Sequence, residues 1–318
     1  MTLPETLAGL VVRAQSGFLT VETDHGQFIC RLRGRLKQDM TEGDIIAVGD
    51  LVTITPDVDG TGTIEAVQAR TAAFSRIRTG IKRDYRQILL ANPDQIVAVF
   101  ACAQPEPHLR MLDRFIVIAE KQGIAALIVA NKIDLVTPSH AKVLFGMYEA
   151  LGYPVLYTSA HTGEGLALLK DKLKDKISAL AGPSGVGKSS LLNAIQPDLG
   201  LHVRAVSEAT SKGIHTTRVR ELFPLDVGGY VADTPGIRSL ALWDTEPEEL
   251  DAYFIEMRSR VADCQFSDCT HTHEPGCAIR AAVEASEISS ERYHSYLRLR
   301  FGDESDMYIY NEIEDESE

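Results

Sequence analysis

Gly182-Pro183-Ser184-Gly185-Val186-Gly187-Lys188-Ser189 has the form G-x-x-x-x-G-K-S and lies between an apolar run, Ile177 to Ala181, and a helical stretch starting near Gly187. A glycine-rich loop leading from a buried strand into a helix turns successive backbone N–H groups toward one point, which suits phosphate oxygens. Gly182, Gly185 and Gly187 reach conformations closed to larger residues. Lys188 is placed to meet the β- and γ-phosphates and Ser189 to hold Mg²⁺, with Ser190 following in the first helical turn.

About fifty residues earlier, Asn131-Lys132-Ile133-Asp134 follows the apolar run Ala125 to Ala130, which reads as a central strand of a parallel sheet. An ionised carboxylate only accepts hydrogen bonds, and guanine offers Asp134 two neighbouring donors, N1–H and the 2-amino group. Adenine offers neither there, so a covered, unpaired carboxylate would reject ATP. Asn131 is expected to tie the loop together and Lys132 to lie along the base. Thr158-Ser159-Ala160 closes the next strand, Val155 to Tyr157, and could give a backbone N–H to the base oxygen.

Beyond the loop, Tyr230-Val231-Ala232-Asp233-Thr234-Pro235-Gly236 reads as a strand bringing Asp233 to the Mg²⁺ shell and the Gly236 N–H to the γ-phosphate. Between them, Gly213-Ile214-His215-Thr216-Thr217-Arg218 offers a threonine hydroxyl to the metal, Thr216 or Thr217, as a first switch. Ile237 follows Gly236 where many GTPases carry the glutamine that orients water. The water therefore needs another guide: His215, a partner's side chain or the nucleotide itself. Slow turnover awaiting stimulation is the expectation.

The chain has 318 residues and a net charge of −13. No run approaches the eighteen or so apolar residues that cross a bilayer, and the first ten lack a signal-like core, so a cytoplasmic, non-membrane protein is expected. The absence of a long heptad pattern makes a monomer the default. Eight of the acidic residues fall between Asp303 and Glu318, where no Lys or Arg occurs. That segment reads as a disordered, solubilising tail. Arg70, Arg76, Arg78, Lys82, Arg83 and Arg86 form a basic cluster that is either a solvated face or a contact for a phosphate backbone.

Up to about residue 70, short β-type runs alternate with turns: Gly9 to Arg13, Phe18 to Thr23, Gln27 to Leu32, Leu51 to Thr55 and Thr63 to Val67. Five such strands predict a small barrel of OB type. From Gln95 strands alternate with helices, at Leu112 to Gln122, Ser139 to Leu151 and Gly165 to Lys176, the rhythm of a doubly wound α/β sheet. The base motif precedes the phosphate loop, an order one sheet accommodates if its original termini are joined and a new break is opened elsewhere. The second switch then runs into the C-terminal domain, so nucleotide state could move it.

After Trp243 comes a mostly helical stretch containing Cys264, Cys269, His271 and Cys277, spaced C-x4-C-x-H-x5-C. Three thiolates and an imidazole suit one structural, tetrahedral zinc ion that supplies folding energy to a short polar loop. His273 is the alternative to His271, and unpaired thiols the alternative to a metal. Cys30 and Cys102 lie in apolar runs as small buried hydrophobes. The expected divisions are a barrel (1–72), a circularly permuted P-loop GTPase domain (73–243), a zinc-binding helical domain (244–302) and the tail (303–318).

In its barrel, its early Asn131-Lys132-Ile133-Asp134, its Gly182 to Ser190 loop, Asp233 to Gly236 and Cys264/Cys269/His271/Cys277, the chain resembles the RsgA (YjeQ) family of circularly permuted bacterial GTPases over nearly its whole length. The resemblance implies a GTPase that turns GTP into GDP and phosphate, stimulated by the ribosome. It also implies a factor that binds the immature small ribosomal subunit, contacts its RNA and assists late maturation. The zinc domain and barrel would grip the subunit while hydrolysis permits release. A hydrophobic residue after Gly236, here Ile237, fits the family. Ile214, where the family usually has a basic residue, and the acidic tail depart from it. A GTP-dependent binding switch with negligible turnover, acting on a non-ribosomal partner, is the second reading. An ATPase or kinase-like enzyme is the third, opposed by Asp134.

Overall fold

The alternating N-terminal runs become strands that each bury one face. They are β1 (Leu7–Gln15), β2 (Phe18–Thr23), β3 (Gly26–Leu32), β4 (Leu51–Pro56) and β5 (Thr61–Val67). The computed structural model describes residues 4–15, 17–34, 46–78, 85–200, 220–233 and 246–302, with backbone alone at 76–78, 85, 86, 220 and 233. Val11, Val21, Cys30, Val52, Ile54 and Ile64 are fully buried in the barrel's centre. The strands pair in the order β1-β2-β3-β5-β4, and β4 returns to β1, so a closed five-strand barrel forms as expected.

β1 serves two sheets. Its first half, Leu7 to Leu10, pairs with β4 and closes the barrel. The register with β2 shifts between Val11 and Arg13. Past this irregularity, Arg13 and Ala14 pair instead with Glu221 and Arg220 of β12 (Arg220–Pro224), a bulge re-aiming the strand toward a new neighbour.

One element was not expected. β6 (Ala73–Arg78) and β7 (Tyr85–Ala91) form an antiparallel pair where the sequence reads as a basic connection. Phe74, Leu89 and Leu90 anchor it in the central core. Within the expected basic cluster, Arg70 does structural work: its Nε and Nη2 each lie 2.7 Å from the carboxylate of Asp50, which is fully buried and also accepts the Ala47 N–H. Arg76, Arg78 and Arg86 are described by backbone only, and Lys82 and Arg83 lie outside the described residues.

The central strands are β8 (Gln95–Ala101), β9 (Ala125–Asn131), β10 (Val155–Thr158), β11 (Ile177–Ala181) and β13 (Tyr230–Asp233). With β12 they order as β10-β9-β8-β11-β13-β12, all neighbours parallel except β12 against β13. All seven residues of β8 are buried, which is why its run lacks alternation. Helices α1 (Leu109–Gln122) and α2 (Pro138–Ala150) share one core with the sheet, and α3 (Leu166–Leu173) and α4 (Lys188–Ile195) share the other. α3 ends three residues before the expected Lys176, the chain turning through Asp175 at φ 55°.

The C-terminal part has shorter helices than its sequence suggests: a 3-10 segment Pro247–Tyr253, then α5 (Ile255–Arg258), α6 (Ala278–Glu284) and α7 (Ser290–Phe301). Its core, with Leu250, Phe254, Met257, Ile279 and Tyr296, takes in Val117 of α1. Beside it, fully buried Arg292 of α7 lies 2.6 Å from Asp113 Oδ1 of α1 and holds Glu256 of α5 through Nε and Nη2 at 2.6 and 3.1 Å. Asp113 also accepts the Tyr148 hydroxyl at 2.7 Å and the Ser295 hydroxyl.

Candidate nucleotide-binding and metal-binding sites

The chain leaves β8 toward β9 on one side and later returns to β11 on the other, so a crevice opens at the carboxyl ends of these strands, where ligands of open α/β sheets bind. Every expected nucleotide residue that the structure describes lies at such an end. Asn131 closes β9, Thr158 closes β10, Gly182 follows β11, and Asp233 closes β13 in register with Leu180 of β11.

The phosphate loop packs too tightly for side chains at two points. At Gly182, φ is 140° and an added Cβ would stand 2.1 Å from the Val99 carbonyl oxygen. At Gly187, φ is 96° and a Cβ would stand 2.4 Å from Asn131 Nδ2. Pro183, Ser184, Gly185 and Val186 span the turn, and Lys188, Ser189 and Ser190 begin α4. The Lys188 ammonium donates to the carbonyls of Gly182 and Pro183 at 2.9 and 2.7 Å, so it lies curled over the loop's own backbone.

Two side chains of the base motif clasp this loop. Asn131 Nδ2 donates to the Val186 carbonyl at 2.8 Å while its Oδ1 accepts from Thr158 at 3.3 Å. Lys132 Nζ donates to the Gly185 carbonyl at 2.7 Å and to the Gln104 carbonyl. Desolvation lowers the Lys132 pKa from its usual value, against a smaller opposing effect of Asp134. Lys132 itself sits at φ 62°, which turns the chain so that Ile133 and Asp134 continue in a short 3-10 segment. Asp134 accepts the Ser159 hydroxyl at 2.6 Å and is otherwise exposed. Ser159 is buried, its N–H bonded to the Glu164 carbonyl, and among the described residues the neighbouring Ala160 N–H has no such bond. Sequence reasoning missed Gln104 as a support, and it named Thr158 only within the run that closes β10, not for its hydroxyl bond to Asn131.

His215, Thr216, Thr217, Gly236 and Ile237 lie outside the described residues, and of Asp233 only the backbone is described. The acidic tail lies outside them as well. No helix among the described residues is long and apolar enough to cross a membrane.

In the C-terminal part, the ligand atoms of Cys264, Cys269, His271 and Cys277 all lie within 4.8 Å of one another, a cluster that could hold a metal ion. His271 Nδ1 faces the sulfurs of Cys264 and Cys277 at 3.6 and 3.4 Å. Its Nε2 lies 3.1 Å from Asp251 Oδ2, the carboxylate-imidazole pairing that fixes which ring nitrogen is left for a metal. His273, the alternative ligand, is exposed and pairs with Thr272 instead. Glu274 ties the loop by accepting from the N–H groups of Thr270 and Thr272. Asp251 escaped the sequence reading because it stands twenty residues before its histidine, in another segment.

A phosphate loop clasped by a base motif from an earlier strand defines a circularly permuted P-loop GTPase. A family model described as RsgA GTPase matches residues 67–243, and one described as RsgA N-terminal domain matches residues 8–64. The chain belongs to the RsgA family of GTP-hydrolysing enzymes. It is 49% identical over 295 residues to the small ribosomal subunit biogenesis GTPase RsgA of Gemmatimonas aurantiaca, covering 92% of this chain and 96% of that one. It is 41% identical to the protein of the same name from Thermotoga petrophila, with 92% and 95% covered. Among solved structures, YjeQ from Thermotoga maritima superposes with a TM-score of 0.76 at 38% identity over 93% of this chain and 98% of that one. YloQ, described as a circularly permuted GTPase, gives 0.73 at 32% identity over 95% and 96%.

Proposed function

We propose that the chain hydrolyses GTP in step with late maturation of the small ribosomal subunit, binding that subunit and its RNA and leaving once GTP has become GDP. The observation that carries the reading is the clasp of Asn131 and Lys132 on the Val186 and Gly185 carbonyls, because it joins base recognition and phosphate binding in one site. The names of the relatives, at near-complete coverage, support the subunit as partner.

In this reading Asp134 takes the guanine N1–H and 2-amino group, and Ala160 gives its N–H to the base oxygen, with Ser159 holding Asp134 in place. Lys132 and Ile133 border the base. The Gly182 to Gly187 backbone cradles the phosphates, and Lys188 leaves its loop carbonyls to neutralise charge on the transferred phosphoryl group. Mg²⁺, supplied with the nucleotide, fits the hydroxyl of Ser189 with Thr217 or Thr216 from the first switch, and Asp233 in its outer shell. Gly236 meets the γ-phosphate, and His215 is a candidate to orient water.

Zinc is the metal that best fits the cysteine-histidine cluster. Tetrahedral bonds of about 2.3 Å to sulfur and about 2.0 Å to nitrogen separate the two ligand atoms by roughly 3.5 Å. The sulfur to Nδ1 spacings of 3.6 and 3.4 Å agree. We divide the chain at about residues 72, 243 and 302, into barrel, GTPase domain, metal domain and tail, and we place the protein in the cytoplasm as a monomer. Sedimentation of the purified chain with immature small subunits tests the reading. Co-sedimentation with a non-hydrolysable GTP analogue and release with GDP is expected; equal binding in both states, or none, would overturn it.

A further inference from the structure

The base motif is held from two sides. Lys132 Nζ donates to the Gly185 carbonyl of the phosphate loop and also to the Gln104 carbonyl, which belongs to the segment between β8 and α1. Gln104 stands at φ 50°, a conformation that a residue other than glycine keeps only where its surroundings hold it. One end of that segment is fixed by the sheet, where the Cys102 N–H bonds the Asn131 carbonyl at 2.8 Å. Its other end is the start of α1, and there the local sequence supplies little: His108 gives no side-chain cap and the first turn carries no acidic residue.

What seats that end comes from far along the chain. Asp113, in the second turn of α1, is buried and accepts the Arg292 guanidinium at 2.6 Å and the Ser295 hydroxyl, both from α7. The same helix reaches the metal loop, Tyr293 and Tyr296 donating to the His271 and Thr270 carbonyls at 2.5 and 3.1 Å. Helix α7 is thus a bar with the metal loop on one side and α1 on the other. At the far end of α1, Arg258 pairs with Glu120 at 2.7 Å, but Arg258 is half exposed and such pairs contribute little. The buried Arg292–Asp113 pair lies instead at the end of α1 that follows the carboxyl end of β8, where the nucleotide crevice opens.

We propose that the C-terminal domain takes part in holding the guanine nucleotide, with Arg292 as a positioning residue that fixes α1 through Asp113 and so keeps the Gln104 carbonyl on Lys132. The inference rests on the reading of Lys132 as a neighbour of the guanine base. With Gln104 withdrawn, the Lys132 ammonium keeps one acceptor, Gly185, and its stem loses a fixed course along the base. Nucleotide then leaves faster. Such coupling runs both ways: if the clamp favours bound nucleotide, bound nucleotide favours the clamp to the same degree. GDP therefore protects α7 against opening, although that helix contributes no residue to the nucleotide site.

Stopped-flow release of a fluorescent GDP from the full chain, and hydrogen exchange on α7 with and without GDP, test this at a temperature where every variant is folded. Arg292→Met combined with Glu256→Leu removes the clamp without leaving Glu256 unpaired. It should release GDP about 2- to 30-fold faster, the range for mutations within coupled networks. Exchange on α7 should slow with GDP in the unchanged chain and not in the double variant. Arg258→Ala, at the far end of α1, should leave release unchanged. A double variant that releases GDP at the unchanged rate, or α7 exchange indifferent to GDP in the unchanged chain, would overturn the proposal. So would Arg258→Ala speeding release as much as the double variant, since looseness of the whole domain would then be the cause. If the unchanged chain does not prefer GDP to ADP, the guanine-pocket reading falls and this inference with it; guanine preference with an unresponsive double variant removes this inference alone.

Discussion

Arg292→Met removes a side chain that ties α7 to both α1 and α5. Arg292 is fully buried and donates to Asp113 and, through two nitrogens, to Glu256, with its guanidinium 4.5 Å from the centre of the Phe254 ring. Desolvation alone would lower its pKa, but the Asp113 and Glu256 carboxylates outweigh that and raise it above the ordinary arginine value. Methionine fills similar volume and leaves two carboxylates behind. They do not suffer equally. Asp113 keeps the Tyr148 and Ser295 hydroxyls, whereas Glu256, whose side chain is only 6% exposed, has no other bond among the described residues. Breaking a buried ion pair from one side costs about 3–5 kcal/mol, while replacing both sides by apolar groups is close to neutral. At about 2–4 °C per kcal/mol for a domain of this size, Arg292→Met should lower the melting midpoint by roughly 6–20 °C. Adding Glu256→Leu should recover a large part of that. Thermal melts of the two variants, with hydrogen exchange on α1 and α7, provide the assay. A single variant melting within about a degree of the unchanged chain, or a double variant no better than the single, would refute the argument.

Asp134→Asn should weaken GTP binding and admit nucleotides whose base presents an acceptor where guanine has its 2-amino donor, such as xanthosine triphosphate; retention of full GTP preference would misplace the guanine pocket. Asp251→Asn, which still fills its site but no longer holds His271 Nε2 as a carboxylate, should lower zinc affinity about 10- to 100-fold in a chelator competition. An unchanged affinity would remove Asp251 from the metal site. Burial of Glu274 acts to raise its pKa, but hydrogen bonds from Thr270, Thr272 and its own N–H prevail and hold it at about 2. Its contribution is therefore present above the unfolded carboxylate value and is lost as pH falls from about 5 toward 2. Glu274→Gln should be less stable than the unchanged chain at pH 7, with the difference shrinking in acid; a constant difference from pH 7 to pH 3 would contradict the assignment.

The five barrel strands, the strand-helix rhythm and the phosphate loop were legible because each rests on local pattern: alternation in β2 and β4, an unbroken apolar run in β8, fixed glycine spacing at Gly182 to Gly187. Long-range pairings were not. Nothing near Arg70 announces Asp50, so a structural ion pair read as part of a basic cluster. The β6–β7 pair was hidden because its apolar anchors, Phe74, Leu89 and Leu90, flank a stretch dense in arginine and lysine. The expectation that nucleotide state could move the C-terminal domain came from chain order alone. Arg292, Asp113 and Val117 bind that domain to α1, a contact between positions 179 residues apart in the case of the ion pair. At the site, the motif marked Asn131 as the residue that ties the loop together and Lys132 as the one lying along the base, while their partners, the Val186 and Gly185 carbonyls, emerged only when two strands distant in sequence were brought side by side.

The central claim is a GTPase whose chemistry answers to the small ribosomal subunit. Release of phosphate from GTP and from ATP by the purified chain, with and without small subunits, tests it most directly. Slow hydrolysis of GTP alone, strongly accelerated by subunits and absent with ATP, is the predicted result. Equal turnover of both nucleotides, or a GTP rate indifferent to subunits, would contradict it.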